Sequence, residues 1–401
     1  MSVSRAISKV FLAVEQAEGA GARVRRSIGT PQLRNFSPFL MLDHFSIKPG
    51  AGFPDHPHRG QETITYLLAG GVDHEDFAGN AGTIEAGDLQ FMTAGRGIMH
   101  AEMPRQNPDG SANVGLQLWV DLPAHLKMCE PRYRDLRAKE IPNVDVDDKV
   151  HVKVISGQSA GVDSVKDLAY TPVWILDIAI KPGGKFVQPL PQGWNAFSYQ
   201  LEGAALFGSG DGQRRVEQYH NCVFEREGNV VNVEVPEDAA EKARFVLVAG
   251  QVLDQKVVQY GPFVLNSPEE VRAALMDYQF HMNGASRASS SAGGSLPAHV
   301  DILWGNRPVT RCSRASSRTV LLSTFDVCLG RLSDVGQPLL IRLPPRTAAA
   351  SSEDAWARDC PEPKAACCGG DARGRDIDAA TPFIASACFV ASALMFEMYF
   401  A

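Results

Sequence analysis

Hydrophobic positions in the first 284 residues fall into short runs with a two-residue period, separated by Gly, Pro, Asn and Asp. Two faces alternate within ETITYLLAGG (62–71), with Thr63, Thr65 and Leu67 on one and Ile64, Tyr66 and Leu68 on the other. Comparable runs occur at GTIEAGDLQFM (82–92), GLQLWVDL (115–122), VHVKVISG (150–157), TPVWILDIAI (171–180) and ARFVLVAGQ (243–251). Turn residues recur about every ten residues, as in a sandwich or a small barrel. The pattern predicts an all-β protein in two similar halves, residues 1–135 and 136–284.

One segment near the end of the second half has helical periodicity. In PEEVRAALMDYQF (268–280), Val271, Leu275 and Tyr278 fall on one side of a helix, and Ser267 is placed to cap its N-terminus. The sequence therefore predicts a short helix that closes the second half.

The composition changes after Gly284. Residues 285–401 open with SRASSSAGGS and carry six of the eight cysteines, whereas only Cys129 and Cys222 precede them. This low-complexity composition predicts a disordered tail. The apolar run at 382–401 meets Glu397 before it reaches the roughly 20 residues that span a bilayer, so we expect no membrane association.

Charge and cysteine usage narrow the functional class. The 46 Asp and Glu residues outnumber the 39 Lys and Arg residues, so we expect no direct nucleic-acid binding. Two widely spaced cysteines in a long body predict a reducing compartment rather than a disulfide scaffold. The N-terminal segment lacks the apolar core and cleavage pattern of a signal peptide.

The residues that carry chemistry lie in DHPHRG (55–60) and GRGIMHAEMP (95–104). His56 and His58 are two residues apart, and so are His100 and Glu102, so each pair points to one face if its segment is a strand. Pro57 favours an extended backbone within the first pair. Two such strands facing the inside of one barrel would bring all four side chains together.

Three imidazoles and one carboxylate suit Fe, Mn, Ni, Cu or Zn, and the absence of thiolate argues against a structural zinc site. Four protein ligands on a six-coordinate metal leave two positions open for chemistry. A lone histidine is more often a surface or hydrogen-bonded residue, but two pairs at strand spacing favour a metal site. Glu62 competes as a ligand; we assign ligation to Glu102 and a supporting or strand-surface role to Glu62.

FPDHPHRGQETITYLLAGGVDHEDFAGNAGTIEAGDLQFMTAGRGIMHAEMP closely resembles the pirin family of the cupin superfamily. GARVRRSIG (21–29), QPLPQGWNAF (188–197) and YGPFVLN (260–266) extend the resemblance, which covers residues 9–284. It implies two face-to-face antiparallel cupin (jelly-roll) barrels with one metal in the first and none in the second. The four-ligand motif of the family maps onto His56, His58, His100 and Glu102. The 117 residues after Gly284 depart from the family, whose members end within a short segment.

The resemblance also implies a function. Family members are described as iron proteins of the nucleus and cytoplasm, so one Fe²⁺ or Fe³⁺ ion is expected, although other divalent transition metals fit the ligands. Some members show quercetin 2,3-dioxygenase activity, which implies a flavonoid-like substrate and a catalytic Glu102 that accepts its hydroxyl proton. Six residues are candidates for lining or supporting the pocket: Phe53, Arg59, Glu62, Met99, Gln117 and Trp119.

Other family members act as transcriptional coregulators, and this implies a different class of function. Here the oxidation state of the iron would change the affinity for a transcription factor, without catalytic turnover. Arg23, Arg25 and Arg26 would then form the docking surface; the simpler interpretation of this cluster is a solvated strand face.

Three further features are weaker. GQSAG (157–161) matches the elbow of serine hydrolases, but no clear helix follows it. Cys360, Cys367 and Cys368 lack the CxxC spacing of a zinc site. His220 and His281 in the chain's second half are isolated, and we expect structural roles for them.

Overall fold

The computed structural model describes residues 2–280. The predicted tail at 285–401, with its cysteines and apolar terminal run, lies outside the described residues, and so does His281. Among residues 2–280, no helix has the length and apolar character that crossing a membrane would require.

Strands dominate the described part of the chain, as the alternation predicts. The strands up to the middle of the chain are β1 (Ile7–Leu12), β2 (Glu15–Glu18), β3 (Ala22–Ile28), β4 (Phe39–Ile47), β5 (Phe53–His58), β6 (Gln61–Ala69), β7 (Gly71–Asp76), β8 (Ala81–Glu85), β9 (Leu89–Thr93), β10 (Ile98–Pro104), β11 (Asn113–Asp121), β12 (Arg132–Leu136) and β13 (Asn143–Asp145). Those that follow are β14 (Val150–Ser156), β15 (Gln158–Ser159), β16 (Val162–Asp163), β17 (Val173–Ile180), β18 (Lys185–Pro189), β19 (Asn195–Glu202), β20 (Ala205–Phe207), β21 (Arg214–Val216), β22 (His220–Phe224), β23 (Val230–Glu234), β24 (Ala243–Gly250), β25 (Val258–Tyr260) and β26 (Phe263–Leu265). Helix α1 (Pro268–Gln279) follows, and short 3₁₀ turns lie at Ala124–Leu126, Ala138–Glu140 and Gly210–Gly212.

The first barrel consists of two antiparallel sheets that pack face to face. The larger sheet has the strand order β12-β9-β6-β11-β4-β3-β2, and the smaller has the order β5-β10-β7-β8. Apolar side chains from both sheets fill part of the space between them, including Phe45 and Leu67 from the larger and Val72 and Ile84 from the smaller. This shared core closes the barrel.

The second barrel repeats the plan with a seven-stranded sheet, β1-β22-β19-β24-β17-β14-β13, and a four-stranded sheet, β18-β23-β20-β21. Its interior is packed with apolar side chains that include Leu176, Phe207 and Phe245. The two barrels confirm the predicted all-β architecture.

The first strand of the chain lies in the second barrel. β1 pairs antiparallel with β22, and the buried guanidinium of Arg5 donates hydrogen bonds to the carbonyl oxygens of Trp194 and Pro191. The N-terminal residues of the predicted 1–135 unit therefore complete the other half. Local sequence patterns do not report this pairing, because its two strands are far apart along the chain.

A separate apolar core joins the two barrels. Ile64 and Tyr66 of β6 contribute to it from the first barrel, and Phe197 and Tyr199 of β19 contribute from the second. The Tyr66 hydroxyl also donates to Oδ2 of Asp177 across this interface, at 2.7 Å. The predicted face of Ile64 and Tyr66 thus packs between the barrels, and the opposite face of β6 points into the first barrel.

Helix α1 begins as predicted, with Ser267 as its N-cap. The Ser267 hydroxyl oxygen accepts from the backbone N–H of Glu270, and the Glu270 carboxylate accepts from the backbone N–H of Ser267. The predicted face packs against β26, where Val271 joins Phe263 in a small core and Tyr278 lies against it. This packing places the end of the helix beside the first barrel.

Candidate metal centre

Strand pairing brings the two histidine-containing motifs side by side. β5 and β10 are antiparallel neighbours, with His56 directly opposite His100 and His58 opposite Ile98. Directly opposite residues point to the same face of a sheet. Gly60, at φ +76°, then makes the turn into β6, where a Cβ atom would lie 2.0 Å from the carbonyl oxygen of Val264. Only glycine fits this connection beside the first motif.

Three imidazoles converge inside the first barrel. The nearest ligand nitrogens of His56, His58 and His100 all lie within 4.8 Å of one another. The ring centroids are 4.5 Å apart for His56 and His100, 4.9 Å for His56 and His58, and 5.0 Å for His58 and His100. His58 and His100 are buried, and His56 is half-buried at the mouth of the cluster. Among residues 2–280, these three histidines form a group whose ligand atoms are close enough together to hold a metal ion.

Hydrogen bonding leaves ring nitrogens of the cluster free to bind an ion. Nδ1 of His56 lies 2.9 Å from the carbonyl oxygen of Pro54, which can only accept, so Nδ1 carries the hydrogen and Nε2 keeps its lone pair. Nε2 of His58 and both ring nitrogens of His100 are buried without a hydrogen-bond partner. Buried polar atoms without partners are costly, and coordination of a metal ion would satisfy them.

Gln61 supports His58 from the next strand. Its side-chain amide lies 2.8 Å from Nδ1 of His58. If Nε2 of His58 binds a metal, Nδ1 carries the hydrogen and Gln61 presents its amide oxygen to it, since the two amide positions interchange by a half-turn. Gln61 was not among the residues predicted from the sequence; its position directly after Gly60 is the sequence feature that could have indicated it.

Both buried imidazoles are held in the neutral form that binds metals. Desolvation, followed by the charges of His56 and His100, places the pKa of His58 well below its usual value. Desolvation, followed by His56 and His74, does the same to the pKa of His100. Neutral imidazole is the ligand form of histidine, so the electrostatics of the barrel suit cation binding.

Glu102 is buried on β10, but its carboxylate is not part of the group of ligand atoms within 4.8 Å of one another. Its Oε2 accepts from the side-chain amide of Gln117 at 2.9 Å, and its Oε1 accepts from the Thr65 hydroxyl at 3.3 Å. The indole of Trp119 lies next to both motifs: its N–H donates to Oε1 of Gln117 at 3.1 Å, and its ring lies edge-on to His58 with centroids 5.1 Å apart. Gln117 and Trp119 therefore face the site, and Thr65 joins them from the face of β6 that points into the first barrel.

The remaining pocket candidates are more scattered. Phe53 lies beside His56, with ring centroids 6.4 Å apart. Met99 is directly opposite Pro57, the residue between the two histidines, so it points to the other face of the sheet. Met99 therefore lies on the face of the sheet away from the histidines and does not line the pocket that it was expected to line.

Glu62 belongs to the contact between the barrels, away from the imidazoles. Its carboxylate accepts from the Thr93 hydroxyl and from the backbone N–H groups of Tyr170 and Thr171. Burial outweighs these donors and raises the pKa of Glu62. The structure corrects the expected supporting role of Glu62 at the metal site, because the residue follows Gln61 and therefore takes the outer face of β6.

Arg59 extends from the ligand strand to helix α1. Its guanidinium forms a 2.8 Å ion pair with Asp277 and lies 5.5 Å from the ring centroid of Tyr278. The Tyr278 hydroxyl in turn lies 3.2 Å from the backbone oxygen of His58 and 2.9 Å from that of Ile98. Arg59 thus supports the backbone of the site through the helix rather than lining the pocket.

The arginine cluster is matched by acidic partners in the same sheet. Arg23 and Arg25 both form ion pairs with Glu15, at 2.7 and 3.0 Å. Arg26 pairs with Asp43 at 2.7 Å and with Glu18 at 2.9 Å. These pairs reduce the net positive charge of the surface, and Arg23 is the most exposed of the three arginines.

The second barrel offers no comparable ligand cluster among its described residues. His220 lies at the protein surface, where its Nδ1 is 3.1 Å from the carbonyl oxygen of Gln218. Ser159 is buried in a small hairpin formed by β15 and β16, and its hydroxyl donates to Oε1 of Gln188. A hairpin in place of a strand–helix turn removes the structural basis of a hydrolase elbow.

Two antiparallel barrels, with a buried histidine cluster in the first and an apolar interior in the second, define a double-barrel cupin with one candidate metal centre. Family models agree: the Pirin model matches residues 21–120, and the Pirin C-terminal cupin domain matches residues 175–284. The chain belongs to the pirin family.

Individual relatives support this assignment. Human "Pirin" is 46% identical over 291 residues, which cover 72% of this chain and 98% of the relative. A tomato (Solanum lycopersicum) "Pirin-like protein" is 47% identical over 284 residues, covering 71% and 94% respectively. Among solved structures, the quercetin 2,3-dioxygenase from Acinetobacter baumannii superposes with a TM-score of 0.63 at 30% identity, covering 69% of this chain and 98% of that one.

Proposed function

We propose that this protein holds one iron ion with His56, His58, His100 and Glu102 and acts as a dioxygenase of flavonol-like substrates. The observation that carries the proposal is the convergence of three imidazoles, two of which, His58 and His100, have buried ring nitrogens without a hydrogen-bond partner. The similarity to a bacterial protein described as a quercetin 2,3-dioxygenase supports the substrate class.

The donor set fits the proposed group. Three imidazoles and a carboxylate, without thiolate, suit iron and other first-row divalent metals. When bound, such an ion supplies Lewis-acid chemistry for a phenolic oxygen and redox chemistry for O₂.

The side chains of this protein would provide proton transfer and positioning. Glu102 is the carboxylate nearest to the histidines along β10, and in the proposal it accepts the proton of the flavonol 3-hydroxyl. Thr65 and Gln117 hold that carboxylate in place. The rings of Trp119 and Phe53 lie beside His58 and His56, where they can pack against a flat aromatic substrate.

The test is metal analysis of the anaerobically purified full chain, followed by oxygen uptake with a panel of flavonols. We expect about one iron per chain, consumption of O₂ and loss of quercetin absorbance. His56→Ala should abolish all three, whereas His220→Ala, at the surface of the second barrel, should change none of them. Iron binding without oxygen uptake would contradict the catalytic proposal. It would favour the regulatory alternative, in which affinity for a transcription factor depends on the oxidation state of the iron.

A further inference from the structure

A chain of hydrogen bonds leads from Trp119 to the carboxylate of Glu102. The indole N–H donates to Oε1 of Gln117 at 3.1 Å. Nε2 of Gln117 lies 2.9 Å from Oε2 of Glu102 and 3.4 Å from Oγ1 of Thr65. The Thr65 hydroxyl then donates to Oε1 of Glu102 at 3.3 Å. Register explains the arrangement, because Gln117 lies opposite Thr65 and Trp119 lies two residues further along β11.

The indole sets the direction of every bond in this chain. An indole N–H can only donate, so the amide of Gln117 must turn its oxygen toward Trp119. Its nitrogen then faces Glu102 and Thr65, with one hydrogen for each. Thr65 accepts from Gln117 and is left to donate to Glu102. Both carboxylate oxygens therefore receive a hydrogen bond, which fixes the orientation of the group.

The chain also leaves Glu102 able to bind a cation. Each carboxylate oxygen has two acceptor positions, and each uses one of them for Gln117 or Thr65. The other positions remain for a metal ion. The same indole lies edge-on to His58, so one residue contacts both the amide that orients the carboxylate and an imidazole of the cluster.

We propose that Trp119 is a positioning residue for the metal centre, acting through Gln117 to hold Glu102 as an oriented carboxylate. The inference rests on the proposed function, in which Glu102 is the fourth ligand. Without the indole N–H, the Gln117 amide can turn over and present its oxygen to Glu102. Two facing acceptors repel each other, so the carboxylate would shift or lose its fixed orientation.

The test is Co²⁺ binding to the full-length apoprotein, measured by calorimetry and by the visible spectrum of the bound ion. Trp119→Phe removes the N–H and keeps an aromatic ring; we expect about 10-fold weaker binding and an altered cobalt spectrum, in line with changes to groups that support metal ligands. Gln117→Leu should weaken binding at least as much. The double variant should bind no more weakly than Gln117→Leu alone, because the N–H of Trp119 acts only through that amide and phenylalanine keeps the aromatic ring beside His58.

Trp174→Phe is the matched control, since Trp174 packs in the second barrel against Trp194. It should bind Co²⁺ like the unsubstituted chain. Circular dichroism of each apoprotein checks folding, and Gln117→Leu provides the second variant if Trp119→Phe does not fold.

Two results would overturn the inference alone: unchanged cobalt affinity and spectrum in Trp119→Phe, or additive losses in the double variant. Failure of the unsubstituted chain to bind Co²⁺ would overturn the proposed function and this inference together.

Discussion

At the scale of single residues, the two buried histidines of the cluster, His58 and His100, lower the stability of the apoprotein and favour metal binding. Nε2 of His58 and both nitrogens of His100 are buried without partners, which costs free energy in the apoprotein. An ion that satisfies these atoms binds the folded state but has no preformed site in the unfolded chain. Metal binding and folding stability should therefore be coupled.

His100→Ala tests this coupling. The variant should bind metal more than about 100-fold more weakly, beyond the effect typical of residues that only support ligands. Metal at 100 times the Kd should stabilise the unsubstituted protein by about 2.7 kcal/mol and the variant by nearly nothing. Chemical denaturation with and without metal measures both quantities. His220→Ala is the control. Equal stabilisation of the unsubstituted protein and of His100→Ala by the metal would contradict the proposed ligand role of His100.

A histidine outside the cluster, His44, makes the stability of the fold depend on pH, independently of the metal. His44 is largely buried between the barrels, where its Nδ1 lies 3.1 Å from the Tyr199 hydroxyl and its ring is near Tyr219. Desolvation, followed by the charge of Arg25, lowers its pKa to about 4. The unfolded state binds this proton near pH 6.5 and the folded state does not, so stability is present above pH 6.5 and is lost as the pH falls toward 4.

At pH 4.5 His44 should lower the free energy of unfolding by about 2 kcal/mol, allowing for its partial exposure. His44→Gln removes the titrating group. The free energy of unfolding of metal-free protein should therefore fall less between pH 7 and pH 4.5 in this variant than in the unsubstituted chain. Urea denaturation at the two pH values measures the difference, and parallel losses in both proteins would show that His44 does not titrate as argued.

At the scale of elements, the sequence was informative wherever a pattern is local. The alternation at 62–71 predicted β6 and its two faces, and the two motifs at i and i+2 predicted which side chains share a face of β5 and of β10. Pairings between distant elements were not predictable in this way. The partners of Glu62 in the second barrel and of Arg59 in α1 depend on packing across long stretches of chain. Met99 directly precedes His100, and the pairing of β10 with β5 places it on the opposite face of the sheet from the histidines.

Helix α1 should act on the metal centre through Tyr278. Its hydroxyl lies near backbone oxygens of both ligand strands, at His58 and Ile98, and its ring packs against Phe263. Tyr278→Phe keeps the ring and removes the hydroxyl, so we expect a loss of about 1 kcal/mol of stability and weaker metal binding. Denaturation and calorimetry measure the two effects. Tyr260→Phe, at an exposed position, is the control, and unchanged values in Tyr278→Phe would exclude the link.

At the scale of the whole molecule, the two barrels differ in what fills them. The second interior is packed mainly with apolar side chains, and its described residues form no cluster of potential metal ligands. The first combines an apolar region with a polar one that holds the histidines and Glu102. The family resemblance implied this division from the missing motif in the second half. It gave no information on β1, which crosses from the N-terminus into the second barrel.

The half with the candidate metal centre should therefore not fold by itself, although its motifs are all local to residues 1–135. Its outer face supplies Ile64 and Tyr66 to the core between the barrels, and its Glu62 carboxylate would lose the backbone donors of Tyr170 and Thr171. β1 would also lose its partner strand. Exposed apolar surface of this kind promotes association.

We expect a 1–135 fragment to aggregate, bind a hydrophobic dye and show no cooperative unfolding, whereas residues 1–280 remain monomer-sized and bind Co²⁺. Size-exclusion chromatography and calorimetry compare the two, and a soluble 1–135 fragment with the cobalt affinity of the longer chain would show that the second barrel is dispensable for the site.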